Sequence, residues 1–358
     1  MPAAEVRSRT MDSWPIHGHG WAVHLLQQAV MQPQAGEVAL SSGLRHAYLL
    51  VGPPQVGKTT LARVFAQAVL CQGEGVRPCG RCRSCGLMGK GSHPDFRLIQ
   101  PTDRDGHPDR ANGTLRVEQA ADIIHEASLR PVESASKFFL IQDFHTANDS
   151  FANKLLKTLE EPPPHVILCL TALSRQDVLP TIASRCQVLE LRPLPLEEVR
   201  AALETQWQVE PAQAELLARL SQGRLGWAVR YLQDGEAAAA RQEQLSQLAQ
   251  LVVADRVERL QFAEKLASQR DDPQLFALLE GWTLWWRDVM LAQAGCLEEC
   301  NNVDHLEIIQ QHARQLSPQA VRTYVQTLGR VASYLRHTVN KRLALDVLLL
   351  QMPRAKAS

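Results

Sequence analysis

The chain has 358 residues, and at roughly 100–200 residues per domain this length indicates about two or three domains. Hydrophobic residues make up 45% of the chain and charged residues 21%, a globular composition that excludes extended disorder. The 38 basic residues balance the 38 acidic ones, so the chain is not a strong stand-alone polyanion binder. No apolar run approaches the roughly 20 residues that span a bilayer, and residues 1–13 lack a secretory signal. We therefore expect a cytoplasmic protein.

Short apolar strands alternate with helical patterns between about residues 15 and 192. This alternation predicts a doubly wound parallel α/β sheet. The predicted strands are Ala47–Val51, Phe96–Ile99, Phe138–Ile141, Val166–Leu170 and Val188–Leu191, and the predicted helices between them are Thr59–Leu70, Val117–Leu129 and Asn148–Glu160.

Strand signals stop after Arg192-Pro193, and the remaining chain is predicted to be helical. We expect three domains, at residues 1–192, 193–243 and 244–358. Trp282, Trp285 and Trp286 lie on one helix face, which favours a place in the core of the last domain over an exposed anchor. Leu343 and Val347, on a final amphipathic helix, are likewise predicted to lie in the core rather than at an interface.

A phosphate-binding loop follows the first predicted strand. The segment Gly52-Pro-Pro-Gln-Val-Gly57-Lys58-Thr59 matches G-x-x-x-x-G-K-[ST] at every fixed position. Its backbone N–H groups would surround phosphates, Lys58 would contact the β- and γ-phosphates, and Thr59 would bind Mg²⁺. The predicted nucleotide-binding residues are Gly52, Pro53, Gly57, Lys58, Thr59, Thr60 and Thr171. The flanking strand and helix disfavour a chance match.

The acidic motif that should accompany this loop is degenerate. A hydrolysing P-loop enzyme usually holds Mg²⁺ with a carboxylate at the end of a neighbouring strand. Strand Phe138–Ile141 ends instead in Gln142-Asp143, a neutral amide followed by an acid one methylene shorter than Glu. A general base displaced by about an ångström can lose about 10²-fold in rate. The sequence thus predicts nucleotide binding with weak hydrolysis; alternatively, Asp143 alone carries the metal with the register shifted by one.

Four cysteines, Cys71, Cys79, Cys82 and Cys85, have the spacing C-x7-C-x2-C-x2-C. Paired thiolates suit tetrahedral Zn²⁺, and the loop between them has little apolar content to fold around. The spacing predicts a structural zinc module over about residues 71–86, with free thiols as the alternative.

Taken together, these motifs resemble bacterial clamp-loader AAA+ subunits, the delta-prime and tau/gamma subunits of DNA polymerase III. The resemblance covers about Trp14 to Leu191 and rests on four features in order. They are the P-loop, the four-cysteine module, the segment Asn153-Lys-Leu-Leu-Lys-Thr-Leu-Glu-Glu-Pro-Pro163, and the segment Leu179-Pro-Thr-Ile-Ala-Ser-Arg185-Cys186. It implies a RecA-like AAA+ domain with an inserted zinc module, a small helical lid domain and an all-α collar domain.

The resemblance also implies roles for individual residues. Arg185 matches an arginine that acts in trans on the γ-phosphate held by a neighbouring subunit, a task suited to a guanidinium. The alternative is a local ion pair with a carboxylate such as Glu190. Thr171 and Ser174 fall in the region of the family's polar γ-phosphate sensor.

Two departures from the family favour the delta-prime type over the tau/gamma ATPase. One is Gln142-Asp143; the other is Gly226 where the lid's sensor arginine is expected, although Arg224 or Arg230 could substitute. The chain also lacks a long tail after residue 352. The implied partners are tau/gamma and delta in a hetero-pentamer, the sliding clamp, and primer–template DNA.

Two other functions remain open from the sequence. One is a working tau/gamma-type ATPase in which Asp143 suffices for catalysis. The other is a zinc-module nucleic-acid-binding protein with a vestigial P-loop, which the basic residues Arg77, Arg81 and Arg83 would favour and the neutral net charge disfavours.

Overall fold

A computed structural model describes residues 14–31, 43–110, 112–268, 272–335 and 340–355. The N-terminal residues 1–13, in which the sequence predicts no signal, lie outside these ranges. Contacts divide the chain into two units, one ending at Glu198 and including Gly223–Gly226, the other comprising the remainder. The three-domain organisation expected from the sequence stays a prediction.

The first unit is built on a parallel sheet of five strands in the order β2-β3-β4-β1-β5. Its elements in chain order are α1 (Gly20–Met31), β1 (Ala47–Val51), α2 (Lys58–Leu70), α3 (Arg83–Gly89), β2 (Phe96–Ile99), α4 (Val117–Ser128), β3 (Lys137–Ile141), α5 (Asp149–Glu160), β4 (Val166–Ala172), α6 (Pro180–Ala183) and β5 (Gln187–Glu190). The predicted parallel α/β sheet is confirmed.

Strand β1 shows why the sheet is covered on both faces. All its residues are buried, the continuous apolar pattern of a parallel strand with helices on either side. Tyr48 and Leu50 join one hydrophobic cluster, whereas Leu49 and Val51 join the other, as the two-residue period of a strand requires. On the first face, Phe65 of α2 makes an edge-to-face contact with Tyr48, at 4.8 Å between ring centroids.

The strand register brings the predicted site residues to one edge of the sheet. Strand β4 lies between β1 and β3, pairing Leu50 with Thr171 and Ile141 with Leu170. The carboxyl ends of these three strands therefore meet, which is where parallel α/β sheets bind ligands. The loop after β1 and the residues after β3 converge at this edge.

Helices make up the regular secondary structure of the second unit in its described residues. Helix α7 (Leu196–Gln206) crosses the division between the units. It is followed by α8 (Pro211–Ser221), α9 (Leu225–Gln233), α10 (Ala237–Val253), α11 (Arg256–Ser268), α12 (Asp272–Gln293), α13 (Leu306–Gln315), α14 (Pro318–Leu335) and α15 (Lys341–Leu350). In the described parts of the chain, no helix combines the length and apolarity needed to cross a bilayer.

The tryptophans of α12 occupy the core of this unit, as predicted. Trp282, Trp285 and Trp286 are all at most 2% exposed, and Trp286 packs edge-to-face on Tyr324 with ring centroids 5.1 Å apart. The prediction for the last helix is wrong, because Leu343 is 62% exposed and Val347 41%.

Helix α15 buries the opposite side of its surface. Leu345, Leu348 and Leu349 lie three and four residues apart and are fully buried in the same cluster as the tryptophans. Leu343 and Val347 form a parallel row four residues apart on the other side. Apolar residues occur all round this helix, so its composition alone did not indicate which face is buried.

Arg259 joins two parts of the second unit, the end of α10 and the segment after α15. Its buried guanidinium donates hydrogen bonds to the backbone carbonyls of Leu251 and Val252 at the end of α10. It also donates to the carbonyls of Met352 and Pro353 after α15. One side chain thereby satisfies carbonyl groups at two helix C-termini, where a positive charge is favoured.

Replacement of Arg259 by Met should therefore leave several buried carbonyls without donors. We expect the free energy of unfolding to fall by about 3 kcal/mol, a typical cost for breaking a buried network of this kind. Urea denaturation followed by tryptophan fluorescence measures this change. The control is Arg256→Met on the same helix, where the side chain is exposed; equal stability of the two variants would contradict the role given to Arg259.

Candidate nucleotide site and cysteine cluster

The loop after β1 has the backbone geometry of a phosphate-binding loop. Gly52 has a φ of +152°, and a Cβ there would lie 2.3 Å from the carbonyl oxygen of Leu191, so only glycine fits. Gly57, with a φ of +110°, precedes α2 and supplies no capping side chain. The first N–H groups of α2 thus keep the anion-binding capacity of an uncapped helix N-terminus.

Lys58 is buried at the first position of α2. Its ammonium group donates to the carbonyl of Gly52 at 2.5 Å and to that of Pro53 at 2.8 Å. Burial lowers the pKa of Lys58 to about 8, with Asp143 opposing the shift and Arg110 adding to it. The side chain is still mainly charged at neutral pH, and phosphates would replace the two carbonyls as its partners.

Gln142 contacts the threonine that is expected to hold Mg²⁺. Its side-chain amide donates to the hydroxyl of Thr59 at 2.8 Å, while its carbonyl accepts from Gln100 at 2.7 Å. The buried amide is therefore oriented with its donor toward Thr59. Thr60, also predicted to bind nucleotide, is exposed on the same helical turn.

Asp143 is held at the carboxyl end of β3 in a left-handed conformation, with a φ of +53°. Its backbone N–H donates to the hydroxyl of Thr171 at 3.0 Å, which joins these two predicted site residues. Its carboxylate accepts hydrogen bonds from Arg110, at 2.7 Å from Nε and 2.6 Å from Nη2. Ser174 donates instead to Asp177, at 2.7 Å.

A segment from beyond the sheet completes this site. The N–H of Gly226 donates to the carbonyl of Gln55 in the phosphate-binding loop at 3.1 Å. A Cβ at Gly226 would lie 2.5 Å from that oxygen, so a side chain here requires the backbone to move. Of the two arginines that could substitute for the sensor arginine, Arg224 is buried and belongs to the first unit, whereas Arg230 belongs to the second unit.

Arg185 lies on the surface just after α6. It donates to the carbonyl of Thr181 at 2.7 Å and to the carboxylate of Glu160 at 2.6 Å. Glu190, the partner considered from the sequence, pairs instead with Arg192 at 3.6 Å. The local ion pair exists, but its acid comes from the end of α5, which sequence proximity did not indicate.

The four predicted metal ligands converge. The sulfur atoms of Cys71, Cys79, Cys82 and Cys85 all lie within 4.8 Å of one another. The Cys71–Cys82 pair is 3.9 Å apart and the Cys79–Cys85 pair 4.0 Å. Zn–S bonds of about 2.3 Å in a tetrahedron require sulfur–sulfur separations of about 3.8 Å, so the thiols fit a tetrahedral metal.

The surroundings of the thiols lower the pKa at Cys79 and Cys82 and raise it at Cys71 and Cys85. Hydrogen bonds from the N–H groups of Arg81 and Cys82 lower the pKa of Cys79 to about 6. Burial raises the pKa of Cys71 and of Cys85. A metal ion would have to displace protons from the two buried thiols.

The cysteine module is attached to the end of the helix that starts at the phosphate-binding loop. Cys71 is the C-cap of α2, and the hydroxyl of Ser84 donates to the carbonyl of Leu70 at 2.6 Å. Ser84 also bonds the buried ring of His93, at 2.9 Å. The module is thereby fixed to the core of the first unit.

Sequence reasoning missed two contacts of this site. Arg110 lies 33 residues before Asp143 in a polar loop, and no spacing marks it as a partner. The backbone bond between Gln55 and Gly226 has no side-chain signature at all.

Two family models, both described as DNA polymerase III delta subunit, match the chain. The first covers residues 30–195, and the second, for the C-terminal part, covers residues 235–353. The first match lies in the first unit and the second match in the second unit.

Curated relatives include DNA polymerase III subunits of three bacteria. The delta' subunit of Bacillus subtilis is 29% identical over 326 residues, covering 86% of this chain and 91% of the relative. The delta' subunit of Pseudomonas aeruginosa is 37% identical over 185 residues, covering 48% of this chain and 52% of the relative. The tau subunit of Escherichia coli is 27% identical over 339 residues, covering 87% of this chain and 51% of the relative. The match thus spans about half the length of the last two relatives.

The parallel sheet, the phosphate-binding loop and the polar residues at its carboxyl edge define a P-loop domain of the AAA+ class. The second model shows that the similarity to DNA polymerase III subunits continues into the helical second unit. The chain belongs to the family of DNA polymerase III clamp-loader subunits that includes delta-prime and tau/gamma, as its motifs predicted.

The zinc content of the purified chain tests whether the cysteine cluster holds a metal ion. We expect about one equivalent of zinc per purified chain, lost in Cys82→Ala because three thiolates leave one tetrahedral position open. A chelator should lower the midpoint of thermal unfolding, and metal affinity should rise with pH as Cys71 and Cys85 lose their protons. Cys296→Ser, outside the cluster, is the control; equal zinc content in the two variants would contradict the assignment.

Proposed function

We propose that this chain is a delta-prime-type clamp-loader subunit that binds ATP with little or no hydrolysis. In this role it supplies Arg185 to the nucleotide site of a neighbouring subunit. It would act in the cytoplasm, in a hetero-pentamer with tau/gamma and delta subunits that places a sliding clamp on primer–template DNA. The observation that carries the proposal is the hydrogen bond from the Gln142 amide to Thr59.

Nucleotide retention is supported by the intact loop. Gly52 and Gly57 keep the conformations that phosphate contact requires, and Lys58 points its ammonium group into the loop. The Thr59 hydroxyl lies one residue further along α2, and Mg²⁺ bound with ATP would be held there and would neutralise phosphate charge.

Weak hydrolysis is supported by the residues around that threonine. A carboxylate at position 142 would only accept hydrogen bonds and would attract Mg²⁺, but Gln142 presents a donor to Thr59. Asp143 is one methylene shorter than Glu, so a general base at this position would lie about an ångström short of its water, which can cost about 10²-fold in rate. Gly226 allows no side chain against Gln55, so a sensor arginine at this position does not fit.

An action of Arg185 on another subunit is supported by its surface position. Its side chain is 35% exposed, and that of Glu160 is 48% exposed. An exposed ion pair contributes little free energy, so exchange of Glu160 for a phosphate costs little. Glu160 would then orient the arginine until the complex forms.

The cysteine cluster has a structural part in this proposal. All four thiols would be used by Zn²⁺, which leaves no open position for a reaction at the metal. The metal would order a polar loop that caps the end of α2.

The trans role is tested by Arg185→Ala in a reconstituted clamp loader. We expect hydrolysis at the neighbouring site to fall by about 10³-fold, as for other arginine fingers, while the complex still assembles. DNA- and clamp-stimulated ATP turnover is the measurement. Arg192→Ala is the matched control, because Arg192 is exposed and pairs with Glu190. Full stimulated turnover with Arg185→Ala would rule out the trans role.

The absence of turnover in this chain is tested separately with Lys58→Ala. When the variant is placed in the complex, we expect most ATP turnover to remain, whereas the equivalent change in a tau/gamma partner should abolish it. Rapid hydrolysis by this chain alone, lost in Lys58→Ala, would establish a tau/gamma-type ATPase instead. Tight DNA binding by the isolated chain that depends on Arg77, Arg81 and Arg83 would favour the nucleic-acid-binding alternative.

A further inference from the structure

The loop between β2 and α4 places an additional arginine at the nucleotide site. Backbone bridges join Thr102 to Pro108 and to Thr114, which closes the base of the loop. The N–H of Asp109 donates to the carbonyl of Pro101 at 2.9 Å. Arg110 follows directly, so its backbone is held although the loop lacks regular secondary structure.

Gly113 fixes the same stretch from the other side. Its N–H donates to the carbonyl of Asp109 at 3.0 Å, and a Cβ at this position would lie 2.1 Å from that oxygen. The close approach requires glycine. Asp109 is therefore held both by Pro101 and by Gly113, which positions the backbone from which Arg110 extends.

The ion pair between Arg110 and Asp143 has short contacts, but much of the arginine is exposed to solvent. Nε and Nη2 both bind the same oxygen, Oδ2, at 2.7 Å and 2.6 Å. The Arg110 side chain is 53% exposed, whereas that of Asp143 is only 14% exposed. The Arg110 side chain is thus the more solvent-exposed partner, whereas the backbone of Asp143 is held by the bond from its N–H to Thr171.

The charges at this edge favour an incoming polyphosphate. Lys58 interacts electrostatically with both Asp143 and Arg110, which places the three groups within reach of one another. Of these three groups two are cations, and a phosphate that takes the place of Asp143 as the partner of Arg110 would lie close to both of them. A guanidinium presents donors in a planar fork that suits phosphate oxygens as well as carboxylates.

We propose that Arg110 binds the terminal phosphate of ATP in cis, exchanging its contact with Asp143 for that phosphate. The inference rests on the proposed function, because it requires that this chain binds ATP. Arg110 contacts Asp143, which directly follows the residue that bonds Thr59, the threonine expected to hold the Mg²⁺ of ATP. The arginine therefore lies at the end of the site where the γ-phosphate would be held, and its contact would be lost with ADP. Arg110 thus makes the site selective for ATP, in place of the arginine that Gly226 excludes.

The test compares ATP and ADP binding by titration calorimetry in the presence of Mg²⁺, using the full chain. We expect Arg110→Gln to weaken ATP binding by about 10- to 100-fold, the usual effect of a lost charge-assisted contact. ADP binding should change by less than about threefold. Arg110→Lys should recover part of the ATP affinity through its charge. Arg104→Gln, an exposed arginine of the same loop, should bind both nucleotides as the unchanged chain does.

A second pair of variants separates direct contact from charge compensation. In an Asp143→Asn background there is no carboxylate to neutralise, and Arg110→Gln should still weaken ATP binding. If it has no effect in that background, Arg110 acts only as the counter-ion of Asp143 and the inference is wrong. Equal losses for ATP and ADP would also overturn it, because the contact would then not involve the γ-phosphate.

The two proposals fail in different ways. If the unchanged chain binds ATP, and Arg110→Gln behaves like Arg104→Gln, the inference fails and the proposed function stands. If the unchanged chain shows no saturable binding of either nucleotide, both the inference and the nucleotide-binding part of the proposed function are wrong. Circular dichroism and the thermal midpoint of each variant exclude loss of folding as the cause.

Discussion

The pairing of β1 and β3 with opposite edges of β4 is the constraint on which the candidate site depends. Leu50 pairs with Thr171 and Ile141 with Leu170, so the ends of three strands lie side by side. This register brings the Gln142 amide to Thr59 and the Asp143 backbone to Thr171. If β3 were shifted by one residue against β4, each of its side chains would lie on the other face of the sheet, and these contacts would be lost.

The strands and most helices could be predicted from the sequence because apolar periodicity is a local signal. Strand β1 was predicted at its observed bounds, and the tryptophans of α12 are buried as expected. The position of Leu343 could not be derived in this way, because α15 has apolar residues on more than one side and packing decides which is buried. Periodicity identifies an amphipathic element, but it does not choose between two apolar faces.

The candidate site also contains residues that a local pattern predicts and residues that only the tertiary fold brings together. The P-loop and the four cysteines could be predicted because their residues are close together in the chain. Short loops and helix ends then fix their relative positions. Arg110 was invisible because its partner is brought to it by the pairing of β2 with β3, which no local pattern records. The partner of Arg185 was missed for a related reason: Glu160 is distant in the chain, and α5 and α6 bring it close.

Helix α2 joins the two predicted ligand sites. It starts at Lys58 in the phosphate-binding loop and ends at Cys71, a predicted metal ligand, with Phe65 in the sheet core between them. A helix packed so closely moves as one body, because interior packing resists deformation. Order in the cysteine module therefore restricts the end of α2, and through it the placement of Lys58. In the proposed function, zinc held by the cluster would in this way restrict the position of Lys58 without contacting the nucleotide.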